Sequence, residues 1–226
     1  MIRTLGLFPL SSVLFPGAVL RLHIFEERYK ELIGGCIARH EAFGVVLDRN
    51  GKEVGDGLDP MGVGTAAQIK EVATLNEGRM FIVTRGIARF QVDEIIGKQP
   101  FFSARVSFLR EALGSAHEAP ALRAAAGERF NDYLQALLAL LGGEFDDVQL
   151  PDDAAATSYL IADTLQVPPV VKQRLLETET AVERLRLEIT LMDAEIRRLR
   201  ALKAGELEPA VRPDAQAPFD VKFSVN

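Results

Sequence analysis

The chain has 226 residues, 48% of them apolar and 26% charged, with a formal net charge of −6, one cysteine and no tryptophan. This is the balance of a globular protein with ample length for a core. The negative charge disfavours a general nucleic-acid binder, which needs clustered Lys and Arg, and no apolar run approaches the roughly 18 residues of a membrane span. Cys36 is alone, so an internal disulfide is impossible, which fits a reducing cytoplasm. The opening MIRTLGLFPL lacks the compact positive region and small-residue cleavage site of a secretory signal, and the expected location is cytoplasmic.

Up to about residue 110 the vocabulary is that of short strands. Leu5, Leu7 and Pro9 lead to a Pro/Gly break at Phe15-Pro16-Gly17, after which Leu20, Leu22 and Ile24 alternate with Val19, Arg21 and His23. Over Glu26 to Arg39 the period changes, and Tyr29, Leu32, Ile33, Cys36 and Ile37 fall on one helical face. Phe43 to Leu47 reads as a buried strand, and Asn50-Gly51 through Gly64 as a long turn-rich connection. Thr65 to Val72 and Met80 to Thr84 form an expected hairpin around Asn76-Glu77-Gly78. Gly86 separates that run from Ile87 to Ile96, and Phe101 to Leu109 closes the β-rich part. Six or seven strands with one helix inserted early predict a strongly bent sheet or partly open barrel.

After residue 112 Ala and Leu dominate. A helix is expected over 117–142 with Leu122, Phe130, Leu134, Leu137, Leu138 and Leu141 inward, ended by Gly142-Gly143. Pro151-Asp152-Asp153 starts a second helix, and Pro168-Pro169 breaks the chain before another. From Val182 the apolar spacing becomes an a/d seam of Val182, Leu185, Ile189, Met192, Ile196 and Leu199. Two outcomes are open for it, packing within its own bundle or a homodimer contact. Glu206 to Pro218 resembles a linker, yet Phe219, Val221, Phe223 and Val225 alternate with polar residues and predict a terminal strand added to a sheet edge, in this subunit or a neighbour.

Catalytic motifs are missing. The sequence has no G-x-x-x-x-G-K-[ST], G-x-S-x-G or H-E-x-x-H, and one cysteine with three scattered histidines makes no familiar zinc site. His23 beside Glu26 and Glu27 has no accompanying nucleophile, and Cys36 on an apolar helix face suits a buried thiol. Nothing brings Lys30 and Ser103 together, and Asp146-Asp147 with Asp152-Asp153 lack the glycine and spacing of a calcium loop. No enzyme activity, cofactor or metal is expected; an unrecognised hydrolase is the residual option.

The run LGLFPLSSVLFPGAVLRLHIFEERYKELI, from Leu5 to Ile33, resembles the opening of the Lon protease N-terminal, substrate-binding domain. FGVVL from Phe43, GVGTAAQIKEV from Gly62, GRMFIVTRGIARFQVDEI from Gly78 and FFSARVSFLRE from Phe101 follow in that family's order, as does SYLIADTLQVPPVVKQRLLETETAVERL from Ser158. The segment His23 to Tyr29 looks more like the free-standing members. The resemblance implies an α+β fold of two lobes, a PUA-like, β-rich pseudo-barrel over 1–112 and then a helical bundle over 113–204 with a long last helix; the linker and terminal strand over 205–226, read from alternation, replace the family's continuation into the ATPase. It offers no positions matching the family's ATPase or its proteolytic dyad.

The role so implied is recognition of unfolded or tagged polypeptide, or of a partner protein, which needs exposed apolar surface with a polar rim. Candidate contacts are Phe25, Tyr29, Phe101 and Phe102 with Arg28, Arg85 and Arg89, while Phe15 competes between that role and filling the core at a turn. The peptide is expected in a groove of the β lobe near its seam with the helices. Alanine at Phe25 and Tyr29 is expected to weaken binding with little change in melting temperature. The alternative is a small-molecule or RNA binder of PUA-like type, which needs a basic face around Arg85, Arg89 and Lys98.

Overall fold

A computed structural model of the chain describes residues 2–51, 59–143 and 148–206. The elements run β1 (Ile2–Leu10), β2 (Val19–Ile24), α1 (Glu27–Arg39), β3 (Phe43–Asp48), β4 (Pro60–Thr74), β5 (Met80–Gly97) and β6 (Phe102–Phe108), then α2 (Ala119–Leu141), α3 (Ala154–Thr164), α4 (Pro169–Glu177) and α5 (Ala181–Lys203). This is the α+β arrangement expected, a mixed sheet followed by helices. The Asp146-Asp147 pair and the proposed terminal strand through Phe219, Val221, Phe223 and Val225 lie outside the described residues.

The six strands are ordered β2-β5-β4-β3-β1-β6, and β5 pairs again with β6. The second pairing closes β5, β4, β3, β1 and β6 into a ring and, among the described residues, leaves β2 attached to β5 alone. Alternation decides the interior. Leu5 and Leu7 of β1, Val46 of β3, Phe90 of β5 and Ala104 and Val106 of β6 share one buried cluster. The even residues Met80, Ile82 and Thr84 point into the lobe, so the odd residues of the same stretch stand outside.

Strand β5 is continuous through the Gly86 break that the sequence suggested. The chain passes there because a β-carbon on Gly86 would sit 2.3 Å from the Phe15 carbonyl oxygen. A bulge beside it opposes Ala66 and Ala67 to Ala88 and Gly86, inserting Ile87 as an extra residue. Helix α1 buries Tyr29, Leu32, Ile33 and Cys36, the stripe read from its period, and His40 ends it in the left-handed region at φ 55°.

In the helical part, Asp153 caps α3 by accepting from the Ala156 amide, and Gly142 ends α2 at φ 75°. The a/d seam is a matter of intramolecular packing. Val182, Leu185, Met192, Ile196 and Leu199 are buried, with Ile189 packed against them, in a cluster that also holds Ala126, Phe130 and Tyr133 of α2. This corrects the dimer option for that seam, since its side chains are already covered by the chain's own α2 and α3. The same cluster contains Val13, Phe15, Leu47 and Val63 of the β lobe, so one core runs through both parts.

Candidate polypeptide-binding surface

The outer face of β5 is the feature from which a site can be built. Its odd residues run Phe81, Val83, Arg85, Ile87 and Arg89. Phe81 is 43% exposed, Ile87 is 48% exposed, and Arg85 is also exposed, whereas Arg89 disappears beneath the helices. At about 3.4 Å per residue the stretch from Phe81 to Ile87 spans about 20 Å. Strand β2 widens it, because Val19 pairs with Arg85, Arg21 with Val83 and His23 with Phe81. Val19 is 55% exposed. The His23 ring stacks on Phe81 at 4.5 Å between centroids and lies 5.5 Å from Phe25. Phe25 is itself 50% exposed. Two exposed rings, Phe25 and Phe81, with the half-buried His23 between them, and two exposed aliphatic side chains, Val19 and Ile87, thus make a largely apolar stripe with arginines inside it.

At its far end the stripe enters a cleft of about 400 Å³ between the two lobes, bordered by Pro16, Ile87, Leu109, Glu111, Ala156 and Tyr159. Beside it two buried guanidinium groups, Arg89 and Arg184, converge on the part-exposed Glu111 carboxylate. Arg89 donates from Nη1 to the carbonyls of Leu176 (2.8 Å) and Thr178 (2.6 Å), at the C-terminal end of α4 where the helix dipole favours a cation. Its Nη2 donates to Glu111 Oε2 at 3.2 Å, and Arg184 Nη2 donates to Glu111 Oε1 at 2.8 Å. The Tyr159 hydroxyl donates to the same carboxylate, and the Arg184 guanidinium lies 4.0 Å from the Tyr159 ring centroid. Burial foremost raises the Tyr159 pKa, the nearby Arg184 opposing, so the phenol stays a donor.

The site residues expected from sequence divide accordingly. Phe25 and Arg85 lie on the stripe. Tyr29 does not: its ring is buried and stacks on Phe8 at 4.1 Å, and its phenol is pushed up to about 12, chiefly by burial. Arg28 is half-buried, ion-paired to Glu26 at 2.7 Å and set over the Tyr29 ring. Arg89 is a clamp between lobes rather than a surface group, because its Nη1 and Nη2 donors are taken up by the carbonyls of Leu176, Thr178 and Glu179 and by Glu111. Phe101 packs inward, its ring 3.0 Å from where a β-carbon of Gly6 would stand, and Phe102 packs on the closed ring's core; neither reaches the stripe. Phe15 is fully buried.

Val19, Phe81, Val83 and Ile87 were absent from the expected set. Their sequence signal is the alternation about Ile82 and Leu22, which puts them opposite the core. Other candidates resolve simply. Cys36 is buried, and burial raises its thiol pKa. Lys30 Nζ bonds Glu27 at 2.7 Å and the Glu77 carbonyl at 2.8 Å, while Ser103 pairs within the sheet with Gly6 and Gly97. Among the described residues no group of three His, Cys, Asp or Glu is placed to hold a metal ion, and no helix is long and apolar enough to cross a membrane.

Comparison with known proteins supplies a context. A family model described as the ATP-dependent protease La (LON) substrate-binding domain matches residues 4–194. Lon protease 2 of Myxococcus xanthus is 28% identical over 214 residues, covering 93% of this chain and 26% of that protein. The Lon protease of Paraburkholderia phytofirmans is 32% identical over 206 residues, covering 87% and 24%. The chain therefore spans about a quarter of the length of these relatives. A Lon N-terminal domain protein from Xanthomonas campestris superposes with a TM-score of 0.61 at 26% identity, over 83% of this chain and 98% of that one. The N-terminal domain of Mycobacterium avium complex Lon protease gives 0.66 at 21% identity, over 84% and 98%, a likeness of fold.

Proposed function

Since the chain belongs to the Lon substrate-binding domain family, matched over residues 4–194, we propose that it is a non-catalytic recognition module for unfolded or tagged polypeptide, acting in the cytoplasm. The observation that carries this reading is the continuous exposed stripe of Phe25, Phe81, Val19, Arg85 and Ile87 leading into the interlobe cleft. Folded proteins bury such residues, and a surface that offers them over about 20 Å suits a chain that has exposed its own. Extended polypeptide repeats its side chains about every 6.8 Å on one face, the spacing at which Phe81, Val83 and Arg85 recur before the bulge at Ile87. Peptide side chains can then meet one residue after another, with the cleft taking a terminal apolar one. Exposed arginines supply the polar contacts that keep the patch hydrated when empty.

Function as an adaptor that delivers polypeptide to a separate protease is the finer form of this proposal. The matched family region is the substrate-binding part of relatives about four times longer. The RNA alternative loses support from geometry. Arg89 is committed to α4, and Arg85 and Lys98 stand thirteen positions apart on and beyond one strand, so the face expected from these three residues does not assemble.

The test is binding of the purified chain to fluorescent unfolded polypeptides beside natively folded controls. Selective micromolar binding to the unfolded set, weakened by Phe25→Ala with Phe81→Ala, supports the proposal. Equal or absent binding to both sets overturns it.

A further inference from the structure

Among the described residues, strand β2 is hydrogen-bonded on one side only. The Gly86 amide donates to the Ala18 carbonyl at 3.0 Å, and carrying the antiparallel alternation forward pairs Leu20 with Thr84 and Leu22 with Ile82 as bonded partners. Val19, Arg21 and His23 therefore aim their backbone N–H and C=O groups away from β5. Among the described residues, no other backbone group bonds to them. Such an edge is a template for another strand unless it is blunted, and Val19–Ile24 contains no proline or bulge.

The side chains beside this edge say what would fit. Val19 and His23 are apolar or aromatic flanks around Arg21. Arg21 is exposed and has no ion pair among the described residues, and the same holds for Arg85, its diagonal neighbour across the Arg21–Val83 pair. Glu71, the carboxylate on this face, stands on the opposite side of Val83, on β4. A strand laid along β2 would place one residue opposite Arg21, with the residues two before and two after it opposite His23 and Val19. The Arg21 guanidinium, on the edge strand itself, calls for a carboxylate at the central position.

We propose that the free edge of β2 takes up an extended polypeptide segment as a seventh strand, preferring an acidic residue flanked two positions away on each side by apolar ones. This rests on the polypeptide-binding reading above and names the mode and the substrate class. A second copy of this chain fits poorly, since an antiparallel β2–β2 pair centred on Arg21 sets the two Arg21 side chains opposite each other, where like charges repel.

The experiment compares labelled peptides carrying Val-x-Glu-x-Phe with otherwise identical peptides carrying Lys at the centre. It adds versions N-methylated at alternate backbone amides, and follows amide hydrogen exchange on the full chain. The Glu peptide is expected to bind at least roughly fivefold tighter, Arg21→Gln to erase the preference and Arg21→Glu to reverse it, by the charge pairing across strands. N-methylation in one register should abolish binding and in the other leave it intact. Amides of Val19, Arg21 and His23 should become protected on saturation, while those of Leu20 and Leu22 are protected from the start. Retained binding that ignores both N-methylation and the central charge overturns edge pairing and leaves the polypeptide-binding reading standing. Failure to bind these peptides and every unfolded polypeptide overturns both. Protection of the three amides without peptide, together with a doubled mass by light scattering, assigns the edge to a second copy and overturns the proposal.

Discussion

Arg89 of β5 and Arg184 of α5 share a single carboxylate, that of Glu111, from strands and helices 95 positions apart. Both guanidinium groups are buried, and Glu111 sits at the mouth of the cleft. Removing the carboxylate leaves two buried cations facing each other. Glu111→Ala is therefore expected to destabilise the chain by about 3 kcal/mol or more, and Arg89→Ala, which also abandons the α4 carbonyls, by a similar amount. Urea unfolding followed by circular dichroism checks both; losses under about 1 kcal/mol would contradict the clamp.

Burial separates two aromatic residues only four positions apart. Phe25→Ala should leave the melting temperature nearly unchanged and weaken polypeptide binding roughly tenfold, the effect of losing about 1.4 kcal/mol of apolar contact. Tyr29→Ala removes a ring stacked on Phe8 and should cost about 3 kcal/mol of stability. Thermal melts beside binding titrations separate the two outcomes and replace the sequence-based expectation that both would be silent in stability.

Glu188 makes stability depend on pH. Its carboxyl is enclosed beside Ser158 and Arg184, and burial above all raises its pKa well above the ordinary carboxylate value, against the lowering effects of those two neighbours. The folded chain thus holds this proton at pH values where the unfolded chain has released it. The contribution is fully present below the unfolded pKa of roughly 4.3 and is lost progressively as pH rises from there towards the folded pKa. Glu188→Gln, which keeps the shape and carries no charge, should match the parent near pH 4 and gain on it towards neutral pH. A melting-temperature difference that stays constant across that range would contradict this account.

Cys36 faces the core of the β lobe, its thiol pKa raised first of all by burial. A thiol-specific reagent is expected to leave it unmodified in the native chain and to modify it once urea unfolds the protein. Prompt modification under native conditions would show that α1 opens locally.

The legible and illegible parts of this fold differ for physical reasons. Helix α1 was readable because Tyr29, Leu32, Ile33 and Cys36 repeat at the helical spacing, and its burial follows that stripe. The hairpin of β4 and β5 was marked by Asn76-Glu77-Gly78, and the observed turn falls there. The continuity of β5 was not readable: Gly86 is a punctuation mark in sequence, but in three dimensions it serves close approach to Phe15. Arg89 looked like a surface cation because no local pattern announces that α4, more than eighty positions later, brings carbonyls to it. The stripe was half legible, since alternation fixes which residues leave the core without saying which a later helix will cover.

The central claim is that the β2–β5 face receives unfolded polypeptide, and a titration of one labelled unfolded polypeptide into the parent chain and into a Phe25→Ala, Phe81→Ala double variant tests it most directly. We expect micromolar binding by the parent and a loss of at least roughly tenfold in the variant, with melting temperatures that agree within a few degrees. Equal affinity for the two chains would contradict it and move recognition to another surface.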